Sequence, residues 1–470
     1  MSTFSGISAA SSALAAARAS IDVAGQNIAN ATTEGYTRQR LTLAAVSSPE
    51  RIGNLFSPQT SAGQGVAVTG ITRIANEMLD ARVRSAVSAT GYSFVRASAF
   101  SAVETTFNEP GDSGLSAGLT DFWSAWQDLS NNAGGEAASA VVIEQATLIA
   151  SQLAAGYTAV SGQWDALRSD ASVITSDLNS SAQQVAELNG LIRTAASIGQ
   201  SPNALLDQRA VLTTAIAEMS GATITQRPDG TVDVLLGGNP LVSGTTAHEV
   251  VVGGATSIEG GGVHLEWSSR PGAIALDGGE LAGTLAMLAP AAGGANSTLS
   301  SIAANYNTIA LALADQVNTI HQQGQTTSGV TGLSFFGLAQ GVPAALGLSV
   351  IPTNASGIAA GGAAGGSLDG SIADRISQIS KDSGSPDTLW ASLVTTVAVQ
   401  TKTELQHFAL AELASTNATA AQLANSSVDV DEENVNLLTS QTAYQAAARV
   451  LTAMDEMLDT LINRTGLVGR

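Results

Sequence analysis

A seven-residue rhythm opens the chain. Ile7, Leu14, Ile21 and Ile28 recur at every seventh position, and Ala10, Ala17, Ala24 and Ala31 fill a companion register. Two such registers are the a and d positions of a helical seam, and Ala in one of them lets a partner helix approach closely. The pattern predicts a helix that stops at Glu34-Gly35-Tyr36, where Gly35 can supply the C-cap. The last segment mirrors the first. Leu437, Tyr444, Leu451 and Leu458 are spaced by seven, with Ser440, Ala447, Met454 and Leu461 in the second register. Asp431, Glu432 and Glu433 sit at the predicted start and Arg464 near the end, both suited to the helix macrodipole, and Gly466 follows as a stop. A helix with so narrow an apolar stripe is marginal alone. The pattern fits packing on an ordinary core, or a coiled coil between the two chain ends and with neighbouring subunits. The location at the extreme ends favours the coiled coil, with everything between as one long insertion.

Between the ends, residues from about Ile71 to Ser220 read as helical. Trp123 and Trp126 share one helix face. A helical run from Glu136 to Gly156 is followed by another from Val160 to Ser197. There Leu167, Ile174, Leu178, Val185, Leu188 and Ile192 keep helical spacing. A further helix starts at Pro202-Asn203. At Gly221 the texture changes to short β-branched runs split by Pro228-Asp229-Gly230 and Gly237-Gly238-Asn239, which read as hairpin turns. Strands continue through His248–Val252 and Val263–Trp267. Helix resumes near Glu280 and runs strongly from Ser297 to His321. Residues 322 to about 370 are irregular, with one strand at Leu348–Ile351 and a Gly-rich loop near 357–366. Helices return from Leu389 to Ala424.

The predicted fold is mainly α with an inserted β-rich domain, nested between paired terminal coiled-coil helices. Residues 1–40 and 430–470 would form the terminal domain. Residues 41–220, 281–321 and 375–429 would form a helical domain, and 221–280 with 322–374 a β-rich outer domain. A length of 470 residues agrees with several domains, at about 100–200 residues each.

Composition narrows the chemistry. The chain has no Cys, so disulfides and Cys-ligated zinc or iron–sulfur sites are excluded. It carries 19 Lys+Arg against 39 Asp+Glu, a net charge of −20, which argues against a general nucleic-acid binder. The first hundred residues hold eight Arg and five acids, so the acidity lies wholly downstream. No stretch holds the ~20 consecutive apolar residues that span a bilayer, and membrane insertion is not expected. The N-terminus lacks the basic and apolar regions of a Sec signal. Absence of Cys suits export to oxidising surroundings by a leaderless route.

Catalytic motifs are missing from the pattern. His248, His264, His321 and His407 are scattered and read as surface or loop residues. There is no phosphate-binding or dinucleotide-binding glycine motif. Gly114-Leu115-Ser116-Ala117-Gly118 matches GxSxG, but the preceding Asn108-Glu109-Pro110-Gly111-Asp112 cannot be the strand a nucleophile elbow requires. No enzyme activity, catalytic residue, metal or cofactor is expected.

The segment Gln26-Asn27-Ile28-Ala29-Asn30-Ala31-Thr32-Thr33-Glu34-Gly35-Tyr36-Thr37-Arg38-Gln39 resembles the N-terminal signature of bacterial flagellar rod and hook axial proteins. Asn27, Asn30, Gly35, Tyr36 and Arg38 carry it. The Gly-Tyr-Thr-Arg-Gln continuation is similar to the hook-associated branch, which builds the hook–filament junction. Val430 to Glu433, Gln441 to Val450 and Met454 to Arg464 are similar to that branch's C-terminal end. Gly114-Leu115-Ser116, Leu119 to Phe122 and Leu205-Leu206-Asp207-Gln208-Arg209 agree in family order. The resemblance implies a structural protein forming the junction ring between hook and filament, needed for filament assembly. It implies an inner tube built from the paired ends, then a helical layer, then the β-rich part outermost. It implies type III export with a chaperone, and an extracellular place on the flagellum. The implied partners are identical subunits, the hook protein and a second junction protein. Another rod or hook protein is the nearest alternative, and a secreted adhesin binding through the β-rich insert is a more distant one. The seam residues Ile7, Leu14, Ile21, Ile28, Leu437, Tyr444, Leu451, Met454, Leu458 and Leu461 are the expected subunit contacts.

Overall fold

The computed structural model describes residues 3–46, 65–291, 298–362, 365–366 and 368–464. Helix α1 (Thr3–Ala29) leads into strands β1 (Gln39–Ala45) and β2 (Val66–Arg73), an antiparallel ribbon that pairs Gln39 with Arg73 at its base. Helices α2 (Glu77–Thr106), α3 (Leu115–Asn131), α4 (Glu136–Ser197) and α5 (Asn203–Ser220) follow. Next come β3 (Thr223–Gln226), β4 (Val232–Leu236), β5 (Asn239–Ser243), β6 (Thr246–Ala247), β7 (Val250–Gly254), β8 (Val263–Trp267) and β9 (Arg270–Ala273). Then come α6 (Gly279–Met287), α7 (Leu299–His321), β10 (Gly324–Gln325), β11 (Phe336–Leu338), α8 (Ala344–Gly347), β12 (Leu348–Val350), β13 (Gly361–Gly362) and α9 (Ser371–Ser377). Helices α10 (Pro386–Ser426) and α11 (Val430–Asp459) complete the order, with a π-helical turn at Thr460–Arg464.

Helix α4 is the spine. It runs 62 residues, about 93 Å at 1.5 Å per residue, and Gly156 does not interrupt it. The two helices expected there are one, because packing outweighs the cost of an interior glycine. A Cβ at Gly156 would fall 2.4 Å from the Tyr306 ring, so the position is glycine to admit α7. One window of α4 is long and apolar enough to cross a membrane by composition alone. Within the fold, α4 instead supplies Val142, Ile149, Leu153, Val160 and Trp164 to a protein core.

Two cores string along this spine. The first gathers the end of α2, α3, the first half of α4, α7 and the 335–379 region around Trp126, Trp164 and Trp390, which are fully buried. The second packs the later half of α4, through Ala171, Leu178 and Val185, against α5, α6 and the strands β4, β5, β7 and β8. Strands β3-β4-β5-β6 form one sheet and β7-β8-β9 another, all antiparallel. The short pairs β10-β13 and β11-β12 sit apart from them. Strands of 221–280 and of 322–374, expected in one domain, therefore share no sheet among the described residues. Leu236 and Leu265 enter the second core, whereas Phe336 and Leu348 enter the first.

Helix α2 gives the order along the molecule. Its start meets α10 through Asp80 and Gln422, and the β-module through Glu77 and Gln226. Its end, with Phe100, Val103 and Phe107, lies in the first core. So the β-module lies beside the base of the terminal helices, and the Trp-rich core lies at the far end of α2. The ribbon β1–β2 lies within residues 41–220, which the sequence assigns to a helical domain without predicting strands there.

His321 corrects another expectation. It is fully buried, not a surface or loop residue. Its Nδ1 meets the Leu333 carbonyl at 2.7 Å and its Nε2 accepts the Ala359 N–H at 2.9 Å. These bonds fix a neutral ring with the proton on Nδ1. Burial holds its pKa below the ordinary value, against the opposing Leu333 bond. Ser116 is exposed in the first turn of α3, after a loop and not a strand, and its N–H donates to Glu109 Oε1 at 2.9 Å.

Candidate assembly interface at the paired chain ends

Helices α1 and α11 lie antiparallel. A Cβ at Gly6 would fall 2.6 Å from Met454 Cε, and Asn27 Nδ2 donates to Glu433 Oε2 at 3.1 Å. Both intervals are 21 residues, so one register holds over three heptads, about 31 Å of helix. The alanine register is the contact face: Ala10, Ala17 and Ala24 are buried, as is Ala447 opposite. The larger residues Ile7, Leu14, Ile21 and Ile28 flank it half-buried, with Leu437, Leu451, Met454 and Leu458.

Two seam expectations differ. Leu461 is exposed and not part of the half-buried seam. Tyr444 is 37% exposed and not buried in the seam. Helix α1 also ends earlier than expected, at Ala29. Asn30 closes it by donating from its side chain to the Gln26 carbonyl at 3.0 Å, which satisfies an end group. Ala31 is therefore outside the helix. Gly35 is not the C-cap, although its φ of +75° does need glycine. A Cβ there would also fall 2.4 Å from Val211 on α5. Gly466 lies outside the described residues.

The outward face of α11 carries exposed apolar residues. Val435 and Leu438 on α11 are 62% and 61% exposed, and Val450 and Met457 are also exposed. Such a row along one helix of the pair is a surface suited to being covered.

A polar node fixes the base of the pair. Asn27 is fully buried. Its Nδ2 donates to the Gln39 carbonyl at 2.9 Å as well as to Glu433, and its Oδ1 accepts from Tyr36 Oη and the Gln39 N–H, each at 2.9 Å. Arg38 reaches across to α11: Nε donates to Glu433 Oε1 at 2.8 Å and Nη1 to Glu432 Oε2 at 3.0 Å. The Glu432 bond is the largest cause raising the Arg38 pKa, opposed by burial and supported by Glu433. The same bond lowers the Glu432 pKa. Burial, then Asp207 and Glu433, raise the Tyr36 phenol. Asp429 caps α11 by accepting from the Asp431 and Glu432 N–H groups.

The Leu-Asp-Gln-Arg stretch acquires a role here. Asp207 and Arg209 project from different sides of α5. Asp207 meets Arg73 Nε at 2.7 Å, and burial raises its pKa despite that arginine. Arg209 Nη1 donates to Asn189 Oδ1 at 2.9 Å and to the Gly230 carbonyl at 2.7 Å. Burial pushes its pKa down to about 10, with Arg73 adding repulsion. Arg38, Arg73 and Arg96 each pair with an acid from beyond residue 100, the last with Glu404 at 2.6 Å. The charge asymmetry of the sequence is thus partly consumed inside the subunit.

The motif residues Asn27, Tyr36 and Arg38 were legible as a signature, but their partners were not. Glu432 and Glu433 looked only like helix-start acids. Gln39, Arg73 and Asn203 gave no signal. A buried Asn beside an aromatic and an arginine, matched by an acid pair at the other chain end, was the available clue.

This arrangement, with both chain ends zipped into one hairpin, defines an axial protein of the flagellar type. Residues 7–37 match the family described as flagella basal body rod protein, and residues 421–464 match the flagellar basal body rod FlgEFG protein C-terminal family. The flagellar hook-associated protein FlgK helical domain matches residues 100–336, half of the chain. The chain belongs to the flagellar hook-associated protein 1 family, as a structural protein of the flagellum. It is 29% identical to flagellar hook-associated protein 1 of Bacillus subtilis, with all of both chains covered. It is 29% identical to the Salmonella typhimurium protein of that name, over 52% of this chain and 43% of that one. The flagellar hook junction protein FlgK of Burkholderia pseudomallei shares the fold, with a TM-score of 0.62 at 16% identity. That match covers 75% of this chain and all of the other.

Proposed function

We propose that this chain forms the junction ring between hook and filament and is needed for filament assembly. The supporting observation is the antiparallel pair α1–α11, in which α11 carries a row of exposed Val, Leu and Met. In this reading residues 1–40 and 430–470 line the inner tube, and neighbouring subunits cover that row. The contacts are with identical subunits, with the hook protein below and with a second junction protein above. The subunit leaves the cell through the type III apparatus with a chaperone and acts outside, by contact and not by catalysis. Full ordering of the hairpin beyond its base is coupled to assembly, so intersubunit burial offsets the remaining entropy cost. Burying one such Leu or Ile is worth roughly 1.5–3 kcal/mol. Electron microscopy of cells lacking the gene tests this. Hooks without filaments are expected. Cells with no hook would assign the chain to the rod or hook instead, and normal filaments would end the proposal.

A further inference from the structure

Residues 37 to 39 face two ways. In extended chain, alternate side chains point to opposite sides. Thr37 and Gln39 turn toward the ribbon base and α5. Thr37 Oγ1 accepts from Arg73 Nη2 at 3.0 Å, and Gln39 Oε1 accepts from Asn203 Nδ2 at 3.1 Å. Arg38, between them, turns to Glu432 and Glu433 on α11. The backbone of Gln39 meanwhile holds both ends of the Asn27 amide. This short splice therefore touches α1, α11 and α5 together.

The α5 side is anchored. Asp207 holds Arg73, and Ser201 Oγ and Asn203 Nδ2 donate to the Ile71 carbonyl at 2.9 and 3.1 Å. Behind them Ile216 and Ala222 lie in the second core, and Arg209 ties α5 to Asn189. The contact between the 30–36 turn and α4–α5 is otherwise thin, with a cleft of about 720 Å³ lined by Leu188, Leu191 and Val211. Among the described residues the hairpin shares neither buried core, and directed polar bonds with the Gly35–Val211 contact join it to the body. Such bonds specify geometry while leaving the helices free to separate.

We propose that the N-terminal end of α5 is a template that sets the register of the terminal hairpin before assembly. Asp207, Arg73 and Asn203 hold residues 37–39 in place, and Arg38 is thereby presented to Glu433 at the one offset that also seats Asn27. The alanine face of α1 specifies heptad phase weakly, because sliding α1 by seven residues brings Ala17 to the place of Ala10 and Ala24 to that of Ala17. The template removes that degeneracy. Asp207, Arg73 and Asn203 are positioning residues in this scheme. It rests on the reading of α1 and α11 as the assembling helices.

The absence of native cysteine makes the test direct. Full-length monomeric subunits carrying Gly6→Cys with Met454→Cys are compared with subunits in which Gly6→Cys is paired with Ala447→Cys or Leu461→Cys, one heptad away in either direction. Disulfide yield under mild oxidation reports register. With the template intact, the 6–454 pair should outpace both shifted pairs at least fivefold. Asn203→Ala and Asp207→Asn should each bring the three yields to within twofold, while exchange protection of Val142–Val160 stays unchanged. An unaltered preference in both variants, or no preference in the parent, overturns the template. So does a general loss of protection in both variants, because the effect is then global folding and not register. The measurement needs no flagellum, so it fails or succeeds separately from the junction role, which the deletion strain tests.

Discussion

The Trp-rich core and the terminal hairpin are both helical, yet they are stabilised in opposite ways. In the core, Trp126, Trp164 and Trp390 are fully buried, and aromatic rings meet edge to face, as Trp126 and Phe335 do at 5.1 Å. In the hairpin only the alanines and a few neighbours are covered, and the large side chains stay half in water. Large buried rings carry enough area to hold a body together alone. Alanines permit close approach but bury little, so the hairpin depends on a directed polar node at its base and on partners along its face. One region is built to be folded, the other to be completed.

The sharpest way to break this contrast is to damage each side in turn. Trp126→Ala should cost the core about 3–5 kcal/mol and lower the main thermal transition steeply, as calorimetry would record. Leu451→Asp should leave that transition where it was but block incorporation, giving cells that do not swim. Motile cells with normal filaments carrying that change would contradict the division of labour. At the node, Asn27→Ala strips Glu433 and Gln39 of a partner. That should cost roughly 1–3 kcal/mol, read locally as faster amide exchange in α11 with the core unchanged. A larger loss in the core than in α11 would mean the two regions are not separate.

The smallest effect concerns His321, the buried pin inside the core region. Its pKa is lowered in the fold, so between that value and the ordinary value near 6.5 only the unfolded chain takes up the proton. Its stabilisation is complete above about pH 6.5 and declines as the pH falls toward the folded value. Melting followed from pH 7.5 to 5 should show this decline, and His321→Gln should flatten it. The hairpin has its own acid response at lower pH. The pKa of Glu432 is lowered by Arg38, so that contribution is present above the ordinary carboxylate range and lost only as the pH falls below it.

Periodicity was the strongest guide to the helices. Leu178, Val185 and Ile192 keep helical spacing and are buried on one face of α4. The hairpin turns at Pro228–Gly230 and Gly237–Gly238 fall where their turn chemistry placed them, because positive φ at Gly230, Gly237 and Gly238 is a local demand. Ribbon β1–β2 was missed because its pairing partner lies across residues 47–64, which local patterning cannot bridge. The break at Gly156 was misread because a glycine that admits Tyr306 looks identical to one that ends a helix. His321 was misread because burial depends on what folds over it, here Leu333 and Ala359.

By itself the sequence determined that the chain ends are narrow-striped helices, that no thiol chemistry is available, and where helix gives way to strand. Each of these follows from residue type and short spacing. Tertiary structure alone decided that α1 and α11 run antiparallel in the 6–454 register, and that the β-module lies beside their base. It also decided that Asp207 and Asn203 face residues 37–39. Those facts depend on which surfaces meet across hundreds of residues, and the α1 repeat, presenting nearly the same face every seven positions, cannot specify its own offset.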